Sequence, residues 1–171
     1  MKRNIIVMGA GLVGNAMAID LHKSGHHVTA VDLDSSRLEF LNKTHGINTI
    51  KESFTNFKKL QEIIKDADIV VGAAPGKFGF QLMKTVIEAG KNMVDISFCP
   101  EDFMELNDLA KEKGVTVIAD IGVAPGMCNV ILGYHDTQME VESYKCIVGG
   151  LPAKREWPLE YKASWSPIDV I

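Results

Sequence analysis

The sequence predicts an α/β fold: a doubly wound parallel sheet, followed by the start of an α+β unit. Three observations predict it. Short apolar runs alternate with helical patterns from residue 4 to about residue 137. The runs are continuous in places, as in Asp68-Ile69-Val70-Val71-Gly72-Ala73, which is how strands covered on both faces read. The first run, Ile5-Ile6-Val7-Met8, passes through Gly9-Ala10-Gly11-Leu12-Val13-Gly14 straight into a helical pattern. That is a strand, a tight turn and a helix N-terminus.

The elements follow in order. Residues 4–8 form the first strand and about 12–24 the first helix, which Gly25 stops. Residues 27–31 form the second strand. Ser35 or Ser36 caps a helix to about residue 44 that turns Leu38 and Leu41 inward and stops at Gly46. Ile47-Asn48-Thr49-Ile50 is a short third strand. A helix over about 57–65 buries Leu60, Ile63 and Ile64, and residues 68–73 make the fourth strand. Ala74-Pro75-Gly76 turns the chain into a helix over about 78–89, and residues 92–95 form the fifth strand. Pro100 opens a helix to about 113 with Phe103, Leu106 and Leu109 inward, and Gly114 ends it. Residues 115–119 form the sixth strand. Pro125 starts one more helix, carrying Val130, Ile131 and Tyr134.

The pattern changes after about residue 138. Residues 140–148 alternate loosely and read as a strand, Gly149-Gly150-Leu151-Pro152 breaks it, and residues 161–165 read as another. The expected organisation is therefore a dinucleotide-binding domain over 1–138 and a partial second domain, for substrate or dimerisation, over 139–171. Two strands do not make a stable unit unaided. The chain is thus expected to be truncated, to dimerise through this part, or to pair with another polypeptide.

The turn at 9–14 carries chemistry. It brings backbone N–H groups against a pyrophosphate at a helix N-terminus, where the helix dipole favours negative charge. Gly9 permits the turn, Gly11 lets phosphates approach, and Gly14 lets the helix pack close to the strand, with Ala10, Leu12 and Val13 completing the cradle. An ordinary strand–helix loop is the alternative. Against it stands Asp32, which ends the second strand 18 positions after Gly14, near the roughly 20-residue spacing of an acid that binds a ribose diol. Such a carboxylate, with Leu33 beside it, repels a 2′-phosphate, so the reading is a Rossmann domain for NAD over NADP. Arg37 opens the following helix within reach of such a phosphate, which keeps NADP as the alternative.

Composition narrows the classes. Of 171 residues, 46% are hydrophobic and 23% charged, ordinary for a soluble globular chain. A net charge of −4 with scattered Lys and Arg argues against a general nucleic-acid binder. No apolar run approaches the roughly 20 residues that span a bilayer. Residues 1–8 lack a signal peptide's apolar core, so the expected compartment is the cytoplasm. Cys99, Cys128 and Cys146 form no C-x-x-C pair and read as buried thiols, and the five histidines lack metal spacing. No metal site is expected.

Residues 119–129, Ala-Asp-Ile-Gly-Val-Ala-Pro-Gly-Met-Cys-Asn, resemble the signature after the sixth strand of the saccharopine dehydrogenase-like family, in particular its L-lysine 6-dehydrogenase branch. Gly149-Gly150-Leu151-Pro152, the segment 158–166 and Val94-Asp95-Ile96-Ser97-Phe98 resemble other segments of that family. The resemblance covers essentially the whole chain. It implies a Rossmann domain followed by a catalytic domain whose sheet commonly mediates dimerisation, and NAD(P)-linked oxidation at a carbon bearing an amine. Family members continue well beyond the position matching Ile171. Val148 stands where the saccharopine reductase branch often has a Cys, with Cys146 two residues earlier, which argues against that branch.

The nicotinamide is expected at the carboxyl ends of the strands. Ala73, Ala74 and Pro75 follow the fourth strand, Ser97 the fifth, and Val123 lies in the loop after the sixth; all are candidate cofactor contacts, with simple turn formation as the alternative at 73–75. The loop 121–126 leads into a helix N-terminus, a second possible anion site. Amine oxidation needs a base for the ammonium proton and activation of water against the imine. Asp120 is the best-placed carboxylate for either role, with orientation of its loop as the alternative. Lys162 is placed to pair with a substrate carboxylate, or is a solvated surface lysine. Asp95 and His135 read as structural. Two functions stand: an oxidoreductase acting on the CH–NH or CH–NH2 group of an amino acid such as lysine or saccharopine, or a non-catalytic NAD-binding regulatory module or subunit of a split dehydrogenase. The expected partners are a small amino-acid substrate and a second copy or complementing chain, with neither nucleic acid nor membrane.

Overall fold

The computed structural model describes residues 1–149 and 152–158. The chain divides into two compact units, Met1–Asp120 and Ile121–Ile171. The first holds six parallel strands: β1 (Asn4–Met8), β2 (His27–Asp32), β3 (Asn48–Lys51), β4 (Ile69–Gly72), β5 (Met93–Asp95) and β6 (Val117–Ile118). Their order in the sheet is β3-β2-β1-β4-β5-β6, the doubly wound Rossmann arrangement. Between them run α1 (Leu12–Lys23), α2 (Ser35–His45), α3 (Phe57–Ile64), α4 (Gly76–Glu88) and, after a 3₁₀ turn at Phe103–Leu106, α5 (Asn107–Lys113).

Successive side chains of a strand point to opposite faces, and β1 shows how this builds two cores. Ile5 and Val7 pack with Ala18 of α1, Leu38 and Leu41 of α2, and Val28 and Ala30 of β2. Ile6 and Met8 join Leu60 and Ile64 of α3, Leu82 and Val86 of α4, and Val70 on the other face. The register aligns the strands' carboxyl ends. Met8 lies opposite both Val31 and Gly72, and Gly72 lies opposite Asp95. Gly9, Asp32, Ala73 and Ile96 therefore leave the sheet along one edge, at the point where the strand order reverses.

Local chemistry shifts several element ends. The cap of α2 is Asp34, whose carboxylate accepts from the N–H groups of Ser36 and Arg37, at 2.9 and 3.3 Å; neither Ser35 nor Ser36 takes that role. Helix α4 begins at Gly76, directly after Pro75. No helix starts at Pro100. Asp102 accepts from Met104 N–H at 2.8 Å and sets the start at Phe103. Gly46 and Gly114 end α2 and α5 in left-handed conformations, as expected of glycine stops.

The second unit contains α6 (Met127–Asp136), which begins after Gly126 rather than at Pro125. The strand expected over 140–148 does not form. A strand needs a neighbour for its N–H and C=O groups, and none of the described residues pairs with this stretch. The expected strand at 161–165 lies outside the described residues. Cys99 and Cys128 are half-buried and Cys146 is exposed, so the thiols are not the buried ones expected.

Leu41 is fully buried between α2 and the sheet. Leu41→Ala should lower the free energy of unfolding by about 3 kcal/mol, read from urea denaturation; a loss near zero would contradict this packing.

Candidate dinucleotide site

The turn after β1 is built by close packing. Gly9 has φ 114°, and a Cβ there would strike the Ala73 carbonyl, with the carbonyl carbon at 2.8 Å. A Cβ at Gly14 would strike the Gly9 carbonyl, whose carbon lies at 2.9 Å. Gly9 N–H donates to Val31 C=O at 2.8 Å, and Ala73 N–H to Met8 C=O at 2.8 Å. Gly11 differs. A Cβ there would make only an ordinary contact with Arg37 Nη1, at 3.7 Å, so no backbone is packed against the middle of the turn. Gly11 is also the N-cap of α1, and it provides no capping side chain. The first-turn N–H groups thus face an opening without a side-chain acceptor, the arrangement that receives a pyrophosphate.

Asp32 locks this turn to β2. One oxygen accepts from Ala10 N–H at 2.7 Å, the other from Asp34 N–H at 2.9 Å. Each carboxylate oxygen retains a lone pair for a ribose hydroxyl. Arg37 holds Asp34 through its Nε at 3.3 Å. Ser36, foremost, and Arg37 keep the Asp34 carboxyl below its usual range. Leu12, Val13 and Leu33 leave large exposed apolar side chains, 84%, 53% and 55% accessible, around the same opening. The fold thus brings together Gly9–Gly14, Asp32, Leu33, Ala73, Ala74 and Pro75.

Further along the edge stand the groups after β5 and β6. Asp95 is wholly buried, and Ser97, 6% exposed, donates its hydroxyl to Asp95 Oδ2. Asp95 Oδ1 is buried with no hydrogen-bond partner. Burial pushes the Asp95 carboxyl up to about 6, against the lowering effect of Ser97, and the charge of Asp120 adds to the rise. Asp120, half-buried, adopts φ 55°, a left-handed conformation that aspartate tolerates better than most residues. Burial, and then the Asp95 charge, raise the Cys99 thiol, which leaves it a poor nucleophile.

From the sequence Asp95 reads as structural. The sequence signal for a larger role is the pair of glycines, Gly72 and Gly79, that make room for Asp95 and Ser97. Val123 belongs to the second unit and is 58% exposed, and Lys162 lies outside the described residues. The anion site expected at the start of α6 is spent internally. Met127 N–H donates to Gly122 C=O at 2.8 Å and Cys128 N–H to Val123 C=O at 3.2 Å. Among the described residues no group of three or more His, Cys, Asp or Glu converges on a possible metal position, and no helix is long and apolar enough to cross a membrane.

Two consequences are measurable. Gly9→Ala should cost on the order of 1–3 kcal/mol in urea unfolding, whereas Gly11→Ala, which meets only the far end of Arg37 at contact distance, should leave stability close to that of the unchanged chain. The second concerns pH. The folded value of Asp95, about 6, exceeds its ordinary 3.8, so the fold binds that proton more tightly than the unfolded chain does. Its favourable contribution, on the order of 3 kcal/mol, is complete below about pH 4 and is lost as pH rises through 6. Asp95→Asn should remove this component and flatten the decline in urea midpoint between pH 4 and 7; an unchanged slope would contradict it.

Comparison with known proteins agrees with this geometry. Residues 5–118 match the family model of the saccharopine dehydrogenase NADP binding domain. Mitochondrial alpha-aminoadipic semialdehyde synthase of Mus musculus is 30% identical over 179 aligned residues, covering 99% of this chain and 19% of that protein. Saccharopine dehydrogenase (NADP(+), L-glutamate-forming) of Saccharomyces cerevisiae is 27% identical, with 100% of this chain and 40% of that protein covered. The apo crystal structure of the L-Glu-forming saccharopine dehydrogenase from Saccharomyces cerevisiae shares the fold, with a TM-score of 0.73 over 98% of this chain and 40% of that one, at 24% identity. The chain thus spans well under half the length of each. With a glycine turn, an acid at the end of β2 and the doubly wound sheet all in place, the chain belongs to the saccharopine dehydrogenase family and carries its NAD(P)-binding domain.

Proposed function

We propose that this chain supplies the dinucleotide-binding half of an NAD(P)-linked oxidoreductase acting on the CH–NH or CH–NH2 group of an amino acid such as lysine or saccharopine, with NAD the preferred cofactor. The observation that carries the reading is the Gly9–Gly14 turn locked by Asp32, in a chain of this family. When bound, the nicotinamide accepts the hydride that leaves the substrate's amine-bearing carbon.

The chain's own residues do the rest. Gly9, Ala10, Gly11, Leu12, Val13 and Gly14 cradle the pyrophosphate, and Asp32 with Leu33 takes the adenosine ribose. Ala73, Ala74, Pro75, Ser97 and Val123 serve the nicotinamide half. Only a neutral amine donates its lone pair as hydride departs, so a base must first take the ammonium proton. Asp120 is that base, and it assists water against the imine afterwards. Lys162 pairs with the substrate carboxylate. Two features support NAD over NADP: Asp32 stands at the end of β2, where a carboxylate would repel a 2′-phosphate, and Arg37 is engaged by Asp34.

We further propose the division into 1–138 for the cofactor and 139–171 for substrate and assembly, with a cytoplasmic location. A second reading, a non-catalytic NAD-binding module or one subunit of a split dehydrogenase, is favoured by one observation. Helix α6 buries none of its residues and leaves Val130, Ile131 and Tyr134 exposed, a face for a second copy or a complementing chain.

Reduction of NAD, followed by NADH absorbance with lysine, saccharopine and related amines, tests the reading. Turnover is expected, with kcat falling by roughly 10²–10⁴ in Asp120→Asn. NAD should bind more tightly than NADP, and Asp32→Ala should narrow the difference. NAD binding without turnover on any amine would favour the second reading.

A further inference from the structure

Gly72 ends β4 and Gly79 lies within α4, where glycine weakens a helix. Gly72 makes room for Asp95, and Gly79 for Ser97. A Cβ at Gly72 would strike Asp95 Oδ1, with Asp95 Cγ at 2.8 Å and Met93 Cε at 2.6 Å. A Cβ at Gly79 would strike Ser97 Oγ, with the Cβ atoms of Ser97 and Cys99 at 3.2 Å. The sheet and the helix above it thus form a slot lined by backbone, and the slot holds a buried Asp–Ser pair at the carboxyl edge of β5. Ile96 N–H donates to Gly72 C=O at 3.1 Å and fixes the backbone between them.

In its ionised form the pair carries a cost. Asp95 is completely buried, and its Oδ1 has no partner. A loop anchor would be served as well by an amide whose polar atoms are all satisfied, since an unpaired buried oxygen carries its full desolvation cost. What a carboxylate does and an amide does not is impose direction. It only accepts, so the Ser97 hydroxyl must donate inward, and what remains on Ser97 Oγ is acceptor capacity.

We propose that Asp95 is a positioning residue for the dinucleotide: its carboxylate takes the Ser97 hydroxyl proton in a hydrogen bond, so that Ser97 Oγ is held as an acceptor for the carboxamide N–H or ribose O–H donors of the nicotinamide half. The proposal rests on the dinucleotide reading above and assigns Asp95 a role beyond it. The titratable groups around the carboxylate are Cys99 on its own loop and Asp120 after β6. Gly72 of β4 and Gly79 of α4 bring none. Protonation of Asp95, centred near pH 6, releases the constraint on Ser97.

Calorimetric titration with NADH, between about pH 5 and 8, tests this on the full chain, Ser97→Ala, Asp95→Asn and the double variant. Affinity of the unchanged chain should fall as pH drops through about 6. Ser97→Ala and Asp95→Asn should each weaken binding roughly tenfold at neutral pH and flatten the profile. The double variant should bind no more weakly than Ser97→Ala alone, because one residue acts through the other. Independent, multiplying losses would overturn the role of Asp95, as would Asp95→Asn binding like the unchanged chain. If circular dichroism shows Asp95→Asn unfolded, the Ser97→Ala profile decides: a flat one supports the proposal, and a persisting drop near pH 6 overturns it. Failure of the unchanged chain to bind any dinucleotide would overturn the underlying reading, and this one with it.

Discussion

Between the exits of β2 and β4 there is no room for a side chain. The parallel register brings the backbone after β1 level with Val31 on one side and Gly72 on the other. The chain must turn there against the Ala73 carbonyl and receive α1 against the Gly9 carbonyl. Everything at the site depends on this close approach. It directs the N-terminus of α1 at the carboxyl edge, places Ala10 N–H on Asp32, and leaves Gly11 as the glycine of the turn with no backbone packed against it. A methyl group at Gly9 or Gly14 would push sheet and helix apart, whereas the surface ion pairs, such as Lys43 with Glu39 or Lys59 with Glu62, are exposed and contribute little.

The same principle recurs one strand further on with a different result. At Gly9 and Gly14 the missing side chains let backbone meet backbone. At Gly72 and Gly79 they let backbone meet a buried Asp95 and Ser97. The first arrangement produces donors for an anion and the second an acceptor whose direction is set by a carboxylate. A dinucleotide presents both needs, phosphates at its centre and N–H and O–H donors at its nicotinamide end. Reading the edge from β1 to β5 gives donors, then acceptors, in that order.

Much of this was legible from local chemistry. The glycine turn, Asp32 and the glycine stops at Gly46 and Gly114 depend on backbone freedom within a few residues, and each lies where the pattern placed it. What escaped was competition between neighbours of similar propensity. Asp34 takes the cap of α2 from Ser35 and Ser36 because its carboxylate reaches two N–H groups at once. Asp102 overrides Pro100 by accepting from Met104 N–H. At α6 the loop folds so tightly that Gly122 and Val123 carbonyls absorb the N–H groups that appeared available to a ligand.

The β/α alternation, the strand directions, the dinucleotide turn and the family all follow from the order of residues along the chain, because each rests on spacing that a few turns of backbone enforce. The role of Asp95 does not. Its burial, its unpartnered oxygen and its hold on Ser97 arise only when β4, α4 and β5 pack together, since the desolvation that distinguishes this carboxylate from any other is a property of what surrounds it in space. The loosely alternating stretch at 140–148 teaches the same lesson in reverse: alternation proposes a strand, but only a partner with free N–H and C=O groups makes one.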